Sequence, residues 1–118
     1  MTIARQHTLC EKLLAEVLRD EDPVTALHIA ASRPEISQEL RKVLCTVDPD
    51  GLRMTALLVA RLRFERLLQG SELAATWFDQ DPESFTQAFR TYHRQVPLRA
   101  FFPREEARTF ARWYRSVR

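Results

Sequence analysis

Apolar residues recur at steps of three and four along most of the chain, which is the spacing of one face of an α-helix. The spacing is clearest in one segment, at Ile36, Leu40, Val43, Leu44 and Val47. No stretch shows a sustained alternation of β-branched and polar residues, and glycine occurs only at Gly51 and Gly70. We therefore expect an all-α fold, a compact bundle of six to seven helices in a single domain over residues 1–118.

Proline behind an acidic residue predicts three helix starts, because the carboxylate caps the helix and proline suits its first position. These pairs are Asp22-Pro23, Asp48-Pro49 and Asp81-Pro82, with Arg33-Pro34 and Phe102-Pro103 as less ideal versions. DPDG at 48–51 also predicts a turn. The predicted helices cover about 3–19, 23–31, 34–46 and 52–69, then a short helix capped by Ser71, one from Pro82 to about residue 95, and one from Pro103 toward Val117.

The segment from 52 to 69 is apolar around most of its circumference, so we expect a central helix with neighbours on more than one side. Its arginines, Arg61, Arg63 and Arg66, do not share one face. They are interpreted as a solvated edge, with Arg61 pairing with Glu65.

The two cysteines, Cys10 and Cys45, fall on different predicted helices among apolar neighbours, which favours reduced thiols packed in a core. No apolar run approaches the length of a membrane span, and the first residues lack the features of a secretory signal. We expect a cytoplasmic protein without a membrane partner.

Side chains for catalysis or metal binding do not form a recognisable pattern. His7, His28 and His93 are isolated, with no HxxxH, HExxH or CxxC spacing. Neither a nucleophile on a glycine turn nor a phosphate-binding loop is present. Glu105 and Glu106, in the first turn of the last predicted helix, are interpreted as answering the helix dipole. The sequence predicts no cofactor, no metal and no enzyme activity for the chain on its own.

Charge is polarised along the chain, although the formal net charge is only +2. Residues 90–118 contain eight arginines and two glutamates, a local charge of +6 that leaves −4 for residues 1–89. On the last predicted helix Arg104, Arg108, Arg112 and Arg115 form one ridge, and Phe110, Trp113 and Tyr114 lie on a neighbouring face that can pack inward. An aromatic and cationic surface of this kind suits a macromolecular partner.

The segment VPLRAFF, at 96–102, interrupts the helical pattern and is predicted to be a loop, which Pro103 follows. Phe101 and Phe102 are adjacent, so they cannot point the same way in an extended chain. Either one ring anchors the core and the other an interface, or both pack inward against Tyr92 and Phe110. The predicted partner-binding residues are Tyr92, His93, Arg99, Phe101, Phe102, Arg104, Arg108 and Arg112.

A nucleic-acid-binding regulator is the alternative, in which the arginines of the last helix contact phosphates. A helix-turn-helix could be drawn from Ser71 to Arg94. Against it, the helix that would enter the groove begins with Glu83 and follows Asp79 and Asp81, whose charges would oppose the phosphates.

The segment WFDQDPESFTQAFRTYHRQVPLRAFFPREEARTFARWY, residues 77–114, resembles the C-terminal part of small helical accessory proteins of multinuclear non-haem iron oxidases. Those oxidases modify ribosomally made peptides, as in the pearlin (3-thiaglutamate-type) pathway. The resemblance rests on aromatic and proline positions: Phe78, Pro82, Phe85, Phe89, Tyr92, Pro97, Phe102, Pro103, Phe110 and Trp113. It implies a non-catalytic subunit that docks on the iron enzyme and helps present its substrate through the leader peptide. No β-strand for leader augmentation is predicted here.

Overall fold

The computed structural model describes residues 3–117. Within them the chain forms seven helices and no β-strand, which confirms the all-α prediction. The helices are α1 (Ile3–Leu18), α2 (Pro23–Ala31), α3 (Gln38–Cys45), α4 (Pro49–Gly70), α5 (Glu72–Gln80), α6 (Pro82–Gln95) and α7 (Pro103–Val117).

The chain folds as two compact units, one ending at Val59 and the other beginning at Ala60. We refer to them as unit 1 and unit 2. The boundary lies within α4, so the first part of this helix belongs to unit 1 and the rest to unit 2. Each unit has its own cluster of buried side chains, and a single domain over residues 1–118 stays a prediction.

The core of unit 1 is aliphatic. It contains the buried residues Leu13, Val17, Leu27, Ala30, Ala31, Ile36, Leu40, Leu44 and Leu52. Leu13 and Val17 are one turn apart on α1, and Leu40 and Leu44 repeat that step on α3, so each helix buries the stripe that its sequence spacing predicts.

Capping side chains set where α2 and α3 begin. Asp22 caps α2 as predicted, accepting a hydrogen bond from the Thr25 backbone N–H. The predicted start of α3 at Pro34 is wrong, since Ser37 caps the helix through the Leu40 backbone N–H. Arg41 Nε donates to the Ala31 carbonyl at 2.7 Å, which stabilises the turn between the two helices.

Helix α4 begins at Pro49, as the Asp48-Pro49 pair predicts and three residues before the predicted span of 52–69. Asp48 caps it by accepting a hydrogen bond from the Gly51 N–H at 3.0 Å. The sequence predicts a central helix with neighbours on more than one side, but part of the apolar surface of α4 is left uncovered. One face bears exposed apolar side chains, namely Met54, Leu57, Leu58 and Leu62. Helix α4 does contribute Leu52 to the core of unit 1 and Leu67 to the core of unit 2.

Both cysteines are free thiols, as predicted. Cys10 is partly buried and packs against the core of unit 1. Cys45 is exposed, so the prediction that it packs inside is wrong. It lies on α3 next to Leu44, and a helix that turns Leu44 inward turns the following residue toward solvent.

The core of unit 2 is aromatic. Its buried members are Leu67, Ala74, Phe85, Phe89, Tyr92 and Phe110. Phe64 packs edge-on against Phe78, Phe85 and Phe89, with ring centroids 5.0–5.5 Å apart. Edge-to-face contacts of this kind add to the free energy gained by burying the rings.

Unit 2 also brings two backbones close together where α4 ends and α7 begins. A Cβ placed on Gly70 would lie 2.0 Å from the Pro103 carbonyl oxygen, so only glycine fits without displacing that backbone. Gly70 is therefore both the last residue of α4 and a packing contact with the start of α7.

Across the part of the chain that the structure describes, no helix is both long enough and apolar enough to cross a lipid bilayer.

Candidate protein-binding site

The loop from Val96 to Phe102 joins α6 to α7 and is held from inside unit 2 by two arginines of α4. Arg63 Nη1 donates to the Val96 carbonyl at 2.6 Å, and Nη2 donates to the Pro97 carbonyl at 3.4 Å. Arg66 Nη1 donates to the Ala100 carbonyl at 3.2 Å. Since three loop carbonyls accept these bonds, the loop has a defined path without regular secondary structure.

Arg63 is almost completely buried, with 1% of its surface exposed, and its charge is balanced within the core. Its Nε donates to Glu106 Oε1 at 3.0 Å, and Glu106 is equally buried. Tyr92 donates its hydroxyl proton to the other Glu106 oxygen at 2.5 Å. The guanidinium also lies over the Tyr92 ring, 4.3 Å from its centroid. Both carboxylate oxygens and the cation therefore have protein partners, which a buried ion pair requires.

His93 belongs to the same network. Its Nδ1 lies 3.3 Å from Arg63 Nη1, and its ring stacks on Phe89 with centroids 5.6 Å apart. Because a guanidinium can only donate, Nδ1 must be the acceptor, so the ring is neutral with its proton on Nε2.

The environment of Tyr92 keeps its hydroxyl protonated. Burial, followed by the hydrogen bond to Glu106, raises the pKa of Tyr92 well above its ordinary value of 10.0. The hydroxyl therefore remains a donor to Glu106 at all physiological pH values.

The prediction that Arg63 lies on a solvated edge is wrong. Glu106 does lie in the first turn of α7, as predicted, but it is also buried and paired with Arg63. The companion prediction is confirmed, since Arg61 pairs with Glu65 at 3.1 Å. Arg63 stands in the helical register of Ala56 and Leu67, and Glu106 stands one turn before Phe110. A basic and an acidic residue at core positions of two helices are the signal that could have predicted a buried pair.

Phe101 and Phe102 both face solvent, with 83% and 66% of their surfaces exposed. Neither of the arrangements expected from the sequence is therefore found. The space beside Tyr92 is occupied by Phe110 and Trp113, with ring centroids 5.0 and 5.4 Å away. With those positions filled and the loop carbonyls directed at the arginines, the two phenylalanines remain outside the core.

The cationic ridge on α7 is confirmed. Arg104, Arg108, Arg112 and Arg115 are exposed, while Phe110 is buried and Trp113 and Tyr114 pack against the core. Within residues 3–117, none of Arg99, Arg104, Arg108 and Arg112 forms an ion pair with a carboxylate.

Six of the eight predicted partner-binding residues are on the surface of unit 2: Arg99, Phe101, Phe102, Arg104, Arg108 and Arg112. The other two, Tyr92 and His93, are 0% and 6% exposed, so they are not placed to touch a partner. This corrects their assignment, and the reason is the Arg63 network that keeps them inside. Both side chains contact Arg63, which donates to the loop carbonyls.

Among residues 3–117, no group of three or more histidine, cysteine, aspartate or glutamate side chains is arranged to hold a metal ion. A scan against protein-family models, a search of curated proteins and a search of solved structures each found no match.

Proposed function

We propose that the protein is a non-catalytic binding protein that docks on a partner protein through unit 2, with Phe101 and Phe102 as its anchors. One observation carries this proposal. Two adjacent phenylalanines are 83% and 66% exposed on a loop whose carbonyls are fastened from within by Arg63 and Arg66. A loop with no binding role would have little reason to hold large apolar side chains in water.

The free energy of docking comes mainly from burying the two rings. Full burial of a phenylalanine side chain is worth about 1.5–3 kcal/mol, and aromatic anchors are frequent among the residues that dominate binding. Because the loop is already fixed, less conformational entropy is lost when it binds. Pre-organised aromatic anchors therefore favour a partner with apolar pockets.

Arginines flank the two phenylalanines in the sequence and indicate that the partner is acidic. Arg99 is on the same loop, and Arg104 follows it at the start of α7. Their guanidinium groups lack carboxylate partners within the described chain. An acidic border around the apolar pocket would give electrostatic complementarity and speed association.

The resemblance of residues 77–114 to accessory subunits supports one candidate partner, a multinuclear non-haem iron oxidase that modifies a ribosomally made peptide. In that case the chain acts in the cytoplasm, contacts the enzyme and helps present its peptide substrate by the leader. The iron chemistry belongs to the partner. Peptide modification in the native host should then depend on this chain.

Nucleic-acid binding is the second candidate, and the exposed arginine ridge of α7 is the observation that favours it. Its signature is steep salt dependence, because neutralising phosphates releases counterions. An interface anchored by phenylalanine should weaken much less over the same range of salt.

The partner can be identified by site-specific cross-linking. A photoreactive benzoylphenylalanine replaces Phe102, and the chain is expressed and irradiated in its native host. The matched control carries the same group at Leu73, an apolar residue of unit 2 that is 85% exposed, close to the value for Phe101. We expect one protein to be captured from position 102 and not from position 73. Capture of nucleic acid from position 102 would favour the second candidate.

The captured protein is then purified and titrated with variants. Changing both phenylalanines to serine should weaken binding by about 100-fold, equivalent to about 3 kcal/mol. Leu73→Ser should leave affinity within about twofold. Far-UV circular dichroism should match the unchanged chain, since the rings lie outside the core. Equal affinities for the two variants would show that these rings are not the anchors.

A further inference from the structure

A groove in unit 2 runs beside the loop, between residues 96–100 and α7. Its volume is about 530 Å³, within the range of small-ligand and peptide sites. Trp113 and Val96 give it an apolar surface, and Thr109 lies along the helix side. Arg99 lines it from the loop and Arg112 from α7, so cations stand on both walls. Phe101 and Phe102 are not among its lining residues.

Apart from the two arginines, the side-chain donors of the lining are engaged within the protein. Trp113 Nε1 donates to Gln95 Oε1 at 2.8 Å, and the Thr109 hydroxyl donates to the Glu105 carbonyl at 2.9 Å. By contrast, Arg99 and Arg112 form no ion pair with the described residues. The donors that a ligand in this groove would meet are therefore guanidinium groups.

Glu106 also lines the groove, but its negative charge is neutralised from inside. One oxygen accepts from Arg63 and the other from Tyr92. Its carboxylate does not offset the two arginines, so the groove presents a net positive charge. Guanidinium groups bind carboxylates through paired, charge-assisted hydrogen bonds.

We propose that this groove binds an extended acidic segment of the partner protein, with carboxylates at Arg99 and Arg112 and an apolar side chain over Trp113. In an extended segment alternate residues face the same way, so carboxylates and apolar groups can reach different parts of the groove. The inference rests on the proposed function and names the chemistry that the partner supplies. It adds a second contact, separate from the phenylalanine anchors.

The test uses a synthetic eight-residue peptide of alternating glutamate and leucine. Binding is followed by the fluorescence of Trp113 in a Trp77→Phe background, where Trp113 is the remaining tryptophan, and by calorimetry on the unchanged chain. We expect saturable binding with a changed Trp113 emission. A peptide with glutamine in place of glutamate should bind at least about tenfold more weakly, because it loses the charge-assisted bonds.

Three arginine variants test whether peptide binding depends on the arginines of the groove or only on the overall positive charge. Arg99→Gln and Arg112→Gln should each weaken peptide binding by about tenfold. Arg115→Gln removes the same charge one turn after Arg112, outside the groove lining, and should change affinity by less than about twofold. Equal losses in all three variants, equal binding of the glutamine peptide, or no binding would each overturn the proposal. Displacement of the peptide by a short single-stranded DNA with the same arginine dependence would also overturn it.

Binding experiments with the phenylalanine variant distinguish failure of the groove proposal from failure of the proposed function. The double change of Phe101 and Phe102 to serine should leave peptide binding intact, since neither ring lines the groove. If the peptide does not bind but partner binding still requires the phenylalanines, the groove assignment is wrong and the docking proposal stands. If the peptide binds while the phenylalanine variant retains full partner affinity, the docking proposal fails.

Discussion

Arg63 and Glu106 form an ion pair in the interior of unit 2, with Nε and Oε1 3.0 Å apart and 1% of each side chain exposed. Both residues also hold other groups. Arg63 bonds to the carbonyls of Val96 and Pro97, and Glu106 accepts from Tyr92. The pair therefore links the core of unit 2 to the loop that presents the phenylalanines.

Removing one partner of this pair should strongly destabilise unit 2, because the other charge would remain buried and uncompensated. We expect Arg63→Met or Glu106→Leu to lower the free energy of unfolding by about 3–5 kcal/mol, and the double variant to lose less than the sum. Trp77 and Trp113 both lie in unit 2, so urea unfolding followed by tryptophan fluorescence reports on this unit.

The control for that experiment is the pair Arg61 and Glu65 on the same helix. Their side chains are 73% and 48% exposed, so Arg61→Met should cost no more than about 1 kcal/mol. If Arg63→Met were equally mild, water would have to reach the Glu106 carboxylate, and the loop would not depend on the pair.

Tyr92→Phe should lower stability by about 1–2 kcal/mol near neutral pH, because Glu106 loses one of its donors. The same substitution should also reduce the loss of unfolding free energy at alkaline pH. The native pKa of Tyr92 is raised above its unfolded value of 10.0, so the unfolded chain releases this proton first. Its contribution is complete below pH 10.0 and is lost as the pH rises toward the native pKa.

Urea unfolding of unit 2 at a series of pH values checks the effect of Tyr92. The unchanged chain should lose stability above pH 10.0 more steeply than Tyr92→Phe does. Identical slopes would mean that Tyr92 ionises equally easily in the folded and unfolded chains, contrary to its burial against Glu106.

Local signals in the sequence explain what could be predicted of the fold. Asp22-Pro23 and Asp81-Pro82 mark helix starts correctly because cap and helix are neighbours in the chain. The helix start predicted at Pro34 was wrong because Ser37, three residues later, is the N-cap of α3. The arginine ridge of α7 was predictable from helical spacing for the same local reason.

The interior of the site could not be predicted in this way, because its pairing is not local. Arg63 and Glu106 are 43 residues apart, and nothing beside either residue specifies the other. The loop that carries Phe101 and Phe102 is likewise bonded to Arg63 and Arg66, which lie more than 30 residues away in the sequence. Arg63 was assigned to solvent because of its charge. Its position on α4, one turn before Leu67 and on the same face, would have predicted burial instead.

Gly70→Ala should destabilise unit 2, because the added Cβ would lie 2.0 Å from the Pro103 carbonyl oxygen. We expect a loss of about 1–3 kcal/mol as the start of α7 moves away, measured by tryptophan fluorescence. Gly51→Ala is the control. Its Cβ would meet only the Asp48 carboxylate, at 3.2 Å, and far-UV circular dichroism should show unchanged or slightly higher thermal stability. If the two substitutions changed stability equally, the nearby Pro103 backbone would not restrict the residue at position 70.

In unit 1, acid should weaken the start of α2. Hydrogen bonds from the Thr25 hydroxyl, at 2.7 Å, and from its backbone N–H lower the pKa of Asp22 below 3.8. The stability that this carboxylate provides is present above pH 3.8 and is lost as the pH falls through the lowered pKa. NMR titration of the Asp22 carboxyl carbon and the Thr25 amide should show a shared midpoint below 3.8, and Asp22→Asn should abolish the Thr25 transition. A midpoint at or above 3.8 would contradict the cap geometry.

Arg66→Met tests whether the loop is fixed before a partner binds. The change removes the bond to the Ala100 carbonyl, next to Phe101, and leaves Arg63 and Glu106 in place. NMR order parameters of the Phe101 and Phe102 amides should fall toward about 0.6, while unit 2 keeps most of its stability. Partner affinity should then drop by about 0.5–1.5 kcal/mol, the cost of ordering the loop on binding. Arg53→Met, which removes an exposed arginine of α4 from unit 1, should change neither quantity. Rigid amides combined with lost affinity would instead mean that Arg66 touches the partner directly.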